Sequence, residues 1–218
     1  MLRTVSMGAI FLFALAGCCL YSTLLAAGEV VELALSHKQG VYQLKLEMIL
    51  DAPFEDVHHV ITDYVHIYRL NPSIVESEIM YTPDDSVVRI RTLINDCILI
   101  FCREIIRVED VRELGTGDIY AVIVPQFSNV KSGAAIWQIQ PLGGNTRINY
   151  NLILEPGFFV PPLIGSYAVK QKLHKEVMIS FSNIERIARI RNEKEEAFNP
   201  TRHKNLLNRI PSEHDNAN

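Results

Sequence analysis

The sequence predicts an α+β fold in which a curved antiparallel sheet is closed by one long helix near the carboxyl end. Two observations carry this. Much of the chain between residues 41 and 154 alternates apolar and polar side chains with period two, in segments separated by turn-forming stretches. After the last of these, residues 161–196 switch to a period near 3.6 and hold it. Sheet face and helix stripe are both apolar, so each must bury its surface on the other.

The chain has 218 residues, a net charge of −4 and no basic run or Gly-rich phosphate loop, which argues against a nucleic-acid partner and against a nucleotide cofactor. It opens on an uncharged apolar stretch, GAIFLFALAGCCLYSTLLAA, Gly8 to Ala27, behind Arg3. Three export signals fit. A signal peptide would be cut near Ala26 or Ala27, with Leu24 or Leu25 standing where a small residue is preferred. A lipoprotein signal would use LAGC, Leu15 to Cys18, and lipidate Cys18, although the residues that follow are apolar. An uncleaved anchor is also long enough, ~30 Å as a helix at ~1.5 Å per residue. Each predicts export to a bacterial periplasm or to a membrane-anchored place in the cell envelope. The expected organisation is a leader over 1–27, one domain over 28–196 and a polar, disordered tail over 197–218.

Within the domain, a short strand over 30–35 turns through HKQG into VYQLKLEMIL, where Tyr42, Leu44, Leu46, Met48 and Leu50 share one face. Then the period changes. Asp51 suits a cap, Pro53 a first helical position, and Phe54, Val57, Val60, Ile61 and Tyr64 fall on one side of a helix that Asn71-Pro72 ends. Strands follow over 76–81, 87–94, 98–114, 119–125, 134–140 and 146–154, with TPDD, LGTGD and LGGN as hairpin turns. On the final helix Leu163, Tyr167, Leu173, Val177, Phe181, Ile184 and Ala188 form a stripe opposite Lys170, Lys175 and Arg186.

Cys97 and Cys102 are the only cysteines after the leader. An oxidising compartment favours joining them. A regular strand, at ~3.3 Å per residue, would instead hold them ~16 Å apart, beyond the ~7 Å that a disulfide spans. ILIF between them contains no turn former, so a bond requires a bulge or a reversal here. Two buried thiols are the alternative.

Four features in order give the chain a resemblance to the START-like (SRPBCC) superfamily, in particular its polyketide cyclase/dehydrase and coenzyme Q-binding branch. They are APFEDVHHVITDY after the first long strand, LNPSI, the hairpin GAAIWQIQPLGGNTRINYNLILEP, and the helix from Pro162. The resemblance covers about residues 41–190. It implies a helix-grip fold with a hydrophobic cavity between sheet and helix. Members bind lipids, isoprenoid quinones or polyketides, and a minority are cyclases or dehydratases. None of the four features is a catalytic signature.

A cavity of that kind would be lined by Tyr64, Tyr68, Trp137, Tyr150, Phe159, Tyr167 and Phe181. Phe158 and Phe159 begin an apolar run to Ile164, which either plugs the end of the core or forms a gate or membrane-touching lip. Of the polar residues, His59, Asp63 and His66 would share one face of a continuous helix at metal-ligand spacing, though an outward helix face also collects such residues. Arg89, Arg91, Arg103, Glu104, Arg107 and Glu109 read as a solvated sheet face, with one Arg or Glu turned inward as the alternative. No catalytic set, metal site or cofactor is assigned. The expected function is binding of a lipid or isoprenoid/quinone-like molecule in the cell envelope, with a membrane surface as a further partner. A cyclase/dehydratase-type enzyme and a ligand-free interaction module are the alternatives.

Overall fold

The computed structural model describes residues 28–82, 84, 86–98, 101–157 and 165–198. Residues 1–27 with Cys18, the run 158–164 with Phe158 and Phe159, and residues 199–218 lie outside these residues.

β1 (Glu29–Lys38) and β2 (Val41–Leu50) form a hairpin. Its two turn residues, Gln39 and Gly40, take φ of 51° and 85°. Two positive φ values in a row match the right-handed twist of the flanking strands. β2 follows its sequence pattern closely: Tyr42, Leu44, Leu46, Met48 and Leu50 are each at most 2% exposed. α1 (Phe54–Thr62) follows, with Pro53 one position earlier than expected, at the cap. Asp51 does not cap it but lies 3.5 Å from Arg189. The first turn is instead favoured by Glu55 and Asp56, whose charges suit a helix amino end.

The remaining strands are β3 (Ile74–Met80), β4 (Val88–Ile98), β5 (Phe101–Glu113), β6 (Ile119–Ile123), β7 (Ser132–Leu142) and β8 (Asn145–Glu155), followed by α2 (Gly165–Phe198). The sheet order is β1-β2-β8-β7-β6-β5-β4-β3, antiparallel throughout. β8 therefore returns beside β2 and leaves β1 and β3 as the two edges. β6 pairs only with residues 109–113 of β5. Beyond it, the exposed edge of β5 is satisfied by the connection to β7: Val124 donates its N–H to Val108 O, Asn129 donates to Ile106 O, and the Val108 N–H donates to Ser128 Oγ. No row of unpaired backbone groups is left there.

Two expectations are corrected. The sequence places a break over 95–97, at Asn95-Asp96. In the structure these residues continue β4, because the Asn95 N–H donates to Ser73 O and the Asp96 carboxylate meets Lys172. The chain reverses instead between Ile98 and Phe101, which face each other. That reversal puts Cys97 opposite Cys102, and the two are joined by a disulfide with Cα atoms 3.9 Å apart. The helix stripe keeps its expected phase but loses Tyr167. Val169, Val177, Phe181, Ile184 and Ala188 are buried, whereas Tyr167 is 67% exposed. Tyr167 precedes Val169 by two positions, about 200° around a helix of 3.6 residues per turn, and so faces outward.

Candidate functional site: a cavity under the long helix

The inner face of the sheet and α2 enclose a cavity of about 270 Å³. Its floor is built from inward-facing residues of neighbouring strands: Ile94 of β4, Ile105 of β5, Ile123 of β6, Trp137 of β7, and Tyr150, Leu152 and Leu154 of β8. Its roof is the α2 stripe of Val169, Leu173, Val177, Phe181 and Ile184. Trp137, Tyr150 and Phe181 form one aromatic cluster, with centroids 4.3 Å apart for Trp137–Tyr150 and 5.4 Å for Trp137–Phe181. These three residues line the cavity as the sequence leads one to expect.

The other expected lining residues stand elsewhere. Tyr64 is buried outside the cavity and donates its hydroxyl proton to Glu113 at 2.6 Å. Burial, reinforced by that carboxylate, drives its ionisation far above the usual tyrosine range. Tyr68 is 43% exposed and meets His66 edge-on. The reason is a change of helix type. After Thr62 the backbone tightens into a 3-10 segment, Tyr64–Arg69, in which residues three apart align. Ile67 and Leu70 thereby reach the cavity and Tyr68 does not. Tyr167 faces outward as described, and Phe159 lies outside the described residues.

Polar groups enter at two places. Arg107 and Glu109, adjacent on the inner face of β5, both line the cavity, with Nε and Oε2 3.1 Å apart. The Arg107 Nε lacks good hydrogen-bond geometry to any described residue, so its donor capacity is not used up by that pair. Beside them, burial pushes the Tyr150 hydroxyl well above its ordinary pKa, while the charges of Arg107 and Glu109 act on it in opposite senses. Tyr150 is thus a neutral hydroxyl next to a charged pair in an apolar chamber. At the second place, Lys172 of α2 bonds Asp96 at 2.5 Å and Glu176 at 2.7 Å. Ser73 Oγ donates to the Glu176 carboxylate, and Asn71 Nδ2 donates to the Glu176 carbonyl and to Ser180 Oγ. This network ties α2 to β4 and to the segment before β3.

Elsewhere the charges are structural. Glu104 points to solvent, Arg91 reaches Glu76 and Glu78 across β3, and Arg89 makes a two-point contact with Asp110. His59, Asp63 and His66 border a groove between α1 and the far half of α2. There α1 has already ended at Thr62; Asp63 accepts from His66 Nδ1 at 2.7 Å and from Arg69 at 3.2 Å. No three His, Cys, Asp or Glu side chains among the described residues come together as a metal-binding group.

No family model and no curated protein sequence matches the chain. Solved structures do, and they share its helix-grip fold. An aromatase/cyclase, Zhui, from Streptomyces sp. R1128 superposes with a TM-score of 0.58 at 10% identity, over 69% of this chain and 95% of its own. A START superfamily protein from Mycobacterium smegmatis gives 0.53 at 17%, over 66% and 98%. A STAR-related lipid transfer protein from Xanthomonas axonopodis gives 0.52 at 16%, over 70% and 98%. The likeness is one of fold: a START-like sheet gripping its carboxyl-terminal helix.

Proposed function

We propose that this chain binds one apolar or amphipathic small molecule, of lipid or isoprenoid/quinone type, in the cavity beneath α2. The observation that carries the reading is the cavity itself. At about 270 Å³ it lies near the lower end of small-molecule sites, which run ~300–1,000 Å³, and its walls are apolar with a few convergent polar groups. A fold held only for surface interactions has no need of such a chamber and would gain stability by filling it. Binding then comes mainly from burying ligand surface, at ~25 cal/mol per Å², less the cost of ordering. Arg107 and the Tyr150 hydroxyl orient a carbonyl or hydroxyl group at one end. Two proteins of matching fold, one named a lipid transfer protein and one an aromatase/cyclase, support this ligand class.

We place the protein in the cell envelope, as an exported or membrane-tethered binder. The apolar leader supports this, and so does the Cys97–Cys102 disulfide, a bond that persists in oxidising compartments. A cyclase or dehydratase activity is the second reading, favoured by one observation: Glu109 brings a carboxylate into the chamber beside Tyr150.

Native mass spectrometry of the protein purified from its own envelope, followed by organic extraction, tests the first reading. A stoichiometric apolar adduct is expected. An empty protein that also takes up no added phospholipid, fatty acid or quinone overturns it.

A further inference from the structure

Glu185 lies on the core side of α2 and is 4% exposed. Its Oε2 accepts no hydrogen bond of good geometry from the described residues, although the N–H groups of Gly28 and Asp51 lie near the carboxylate. The cation nearest in sequence, Arg189, pairs with Asp51 at 3.5 Å, and its charge reaches Glu185 only as the weakest of the influences on it. What the carboxylate does meet is the backbone of Gly28. A Cβ at that position would collide with Oε2 and stand 2.7 Å from the Ile49 carbonyl, so glycine alone permits the approach. The N–H groups of Gly28 and Asp51 favour the charged form, against burial, which disfavours it more. A buried carboxylate with no cation in contact is costly unless a positive charge reaches it.

Gly28 immediately follows Ala26-Ala27, the end of the apolar leader. Ala27 is a small residue of the kind preferred before a leader-peptidase cut, although Leu25 stands two positions before it. Hydrolysis of the Ala27–Gly28 bond by such a peptidase consumes one water. The C–N bond breaks, Ala27 keeps a carboxylate, and Gly28 gains an amine that takes up a proton. The new ammonium would arise at the nitrogen already held beside the Glu185 carboxylate.

We propose that Gly28 is the amino terminus of the mature protein and that its α-ammonium docks on Glu185, which makes the buried carboxylate a receptor for the processed end. This inference rests on the export half of the reading above and is independent of the ligand. It also gives a reason for a buried acid on an otherwise apolar helix stripe, next to Ile184 and Ala188.

The test starts from the full chain expressed with its own leader in a bacterial host. Intact-mass and terminal sequencing are expected to show Gly28 first. An acylated Cys18 at the terminus, or residues 1–27 retained on a membrane-bound protein, overturns the inference while leaving export standing, and a full-length chain in the cytoplasmic fraction overturns both. Native mass spectrometry on the same sample reads the ligand separately. The second measurement needs no variant. Near neutral pH, an amine-acylating reagent is expected to modify the Gly28 α-amine at least about tenfold more slowly in the native than in the denatured protein. An ion pair that raises an α-amino pKa by one unit lowers the free-amine fraction by about that factor. Glu185→Gln is expected to restore most of the denatured rate. A native amine that reacts at the denatured rate overturns the docking.

Discussion

In the proposed ligand site, Arg107 is the residue on which ligand orientation would depend. Its side chain lines an apolar chamber, and a ligand oxygen bonding the guanidinium there would add an acceptor to the one that Glu109 provides. Arg107→Gln removes the charge and keeps donors. It is expected to weaken a hydroxyl- or carbonyl-bearing ligand by about tenfold, the equivalent of ~1.4 kcal/mol, and to leave a plain alkane-like probe within twofold. Trp137 is the only tryptophan in the chain and lines the same cavity, so its fluorescence reads both titrations. Equal losses for both probes would remove Arg107 from the polar end of the site. The Lys172 cluster makes a different prediction, on pH. Burial disfavours the Glu176 charge, but hydrogen bonds from Lys172 and Asn71 outweigh it and hold the carboxyl below its ordinary value. Its stabilisation is therefore present above the unfolded carboxylate pKa, ~4.3, and lost as pH falls through the lower native value. Lys172 is raised: burial lowers it, and bonding to Asp96 and Glu176 more than compensates. Its contribution is complete below the unfolded lysine pKa, ~10.4, and disappears as pH rises through the higher native value. Urea unfolding should show a plateau between these limits, and Glu176→Gln should flatten the acid limb at a cost of about 2 kcal/mol at neutral pH. An unchanged acid limb would show that the cluster does not couple α2 to the sheet.

At the level of elements, legibility followed how many faces each element has to bury. β2 has one buried and one wet face, and its alternation reads directly from VYQLKLEMIL. β5 mixes charged and apolar side chains on both faces. Its inner face carries Arg107 and Glu109 into the cavity beside Ile105, while its outer face holds fully buried Val108 between Glu104 and Arg112, which are exposed. With both kinds of residue on each face, alternation identifies a strand but not which face turns inward. Tyr68 was unreadable for another reason: a tightening from α to 3-10 geometry at Asp63 leaves no compositional trace. The β4–β5 reversal was also hidden, since ILIF holds no residue that prefers a turn. The disulfide is what fixes the ends of that reversal, so its worth is measurable there. Closing so short a loop is worth about 2 kcal/mol in the chain-entropy model. A Cys97→Ser, Cys102→Ser double variant is expected to lose about that much, a fall in Tm of ~4–8 °C for a domain of this size. Reduction of the wild type by a thiol should reproduce the shift, and a Tm unmoved by either treatment would assign the hairpin's stability to its ladder alone.

For the whole molecule, the cavity and the fold's stability pull against each other. Cores of this size ordinarily pack without large voids, because an empty volume costs roughly 24 cal/mol per Å³ in large-to-small substitutions. Here the packed part of the core, around Leu46, Leu50, Val57, Ile139 and Ile148, lies toward α1, while the wall under the first half of α2 is left open. Val177 is one of the smaller side chains on the roof of that chamber, one helical turn before Phe181. Val177→Phe places a ring where the ligand would sit. If the chamber exists to be occupied by a guest, the variant should fold with equal or higher Tm than the ligand-free wild type and should lose the Trp137 titration altogether. A purely structural core gives the reverse pattern: overpacking lowers stability by about 1–3 kcal/mol, and there is no binding to lose. An enzyme of the cyclase type would lose turnover together with binding in the same variant, whereas replacing Glu109 by Gln would remove turnover and leave the apolar titration in place. Measuring Tm and titration in these two variants therefore separates carrier, enzyme and inert scaffold by which of the two quantities moves.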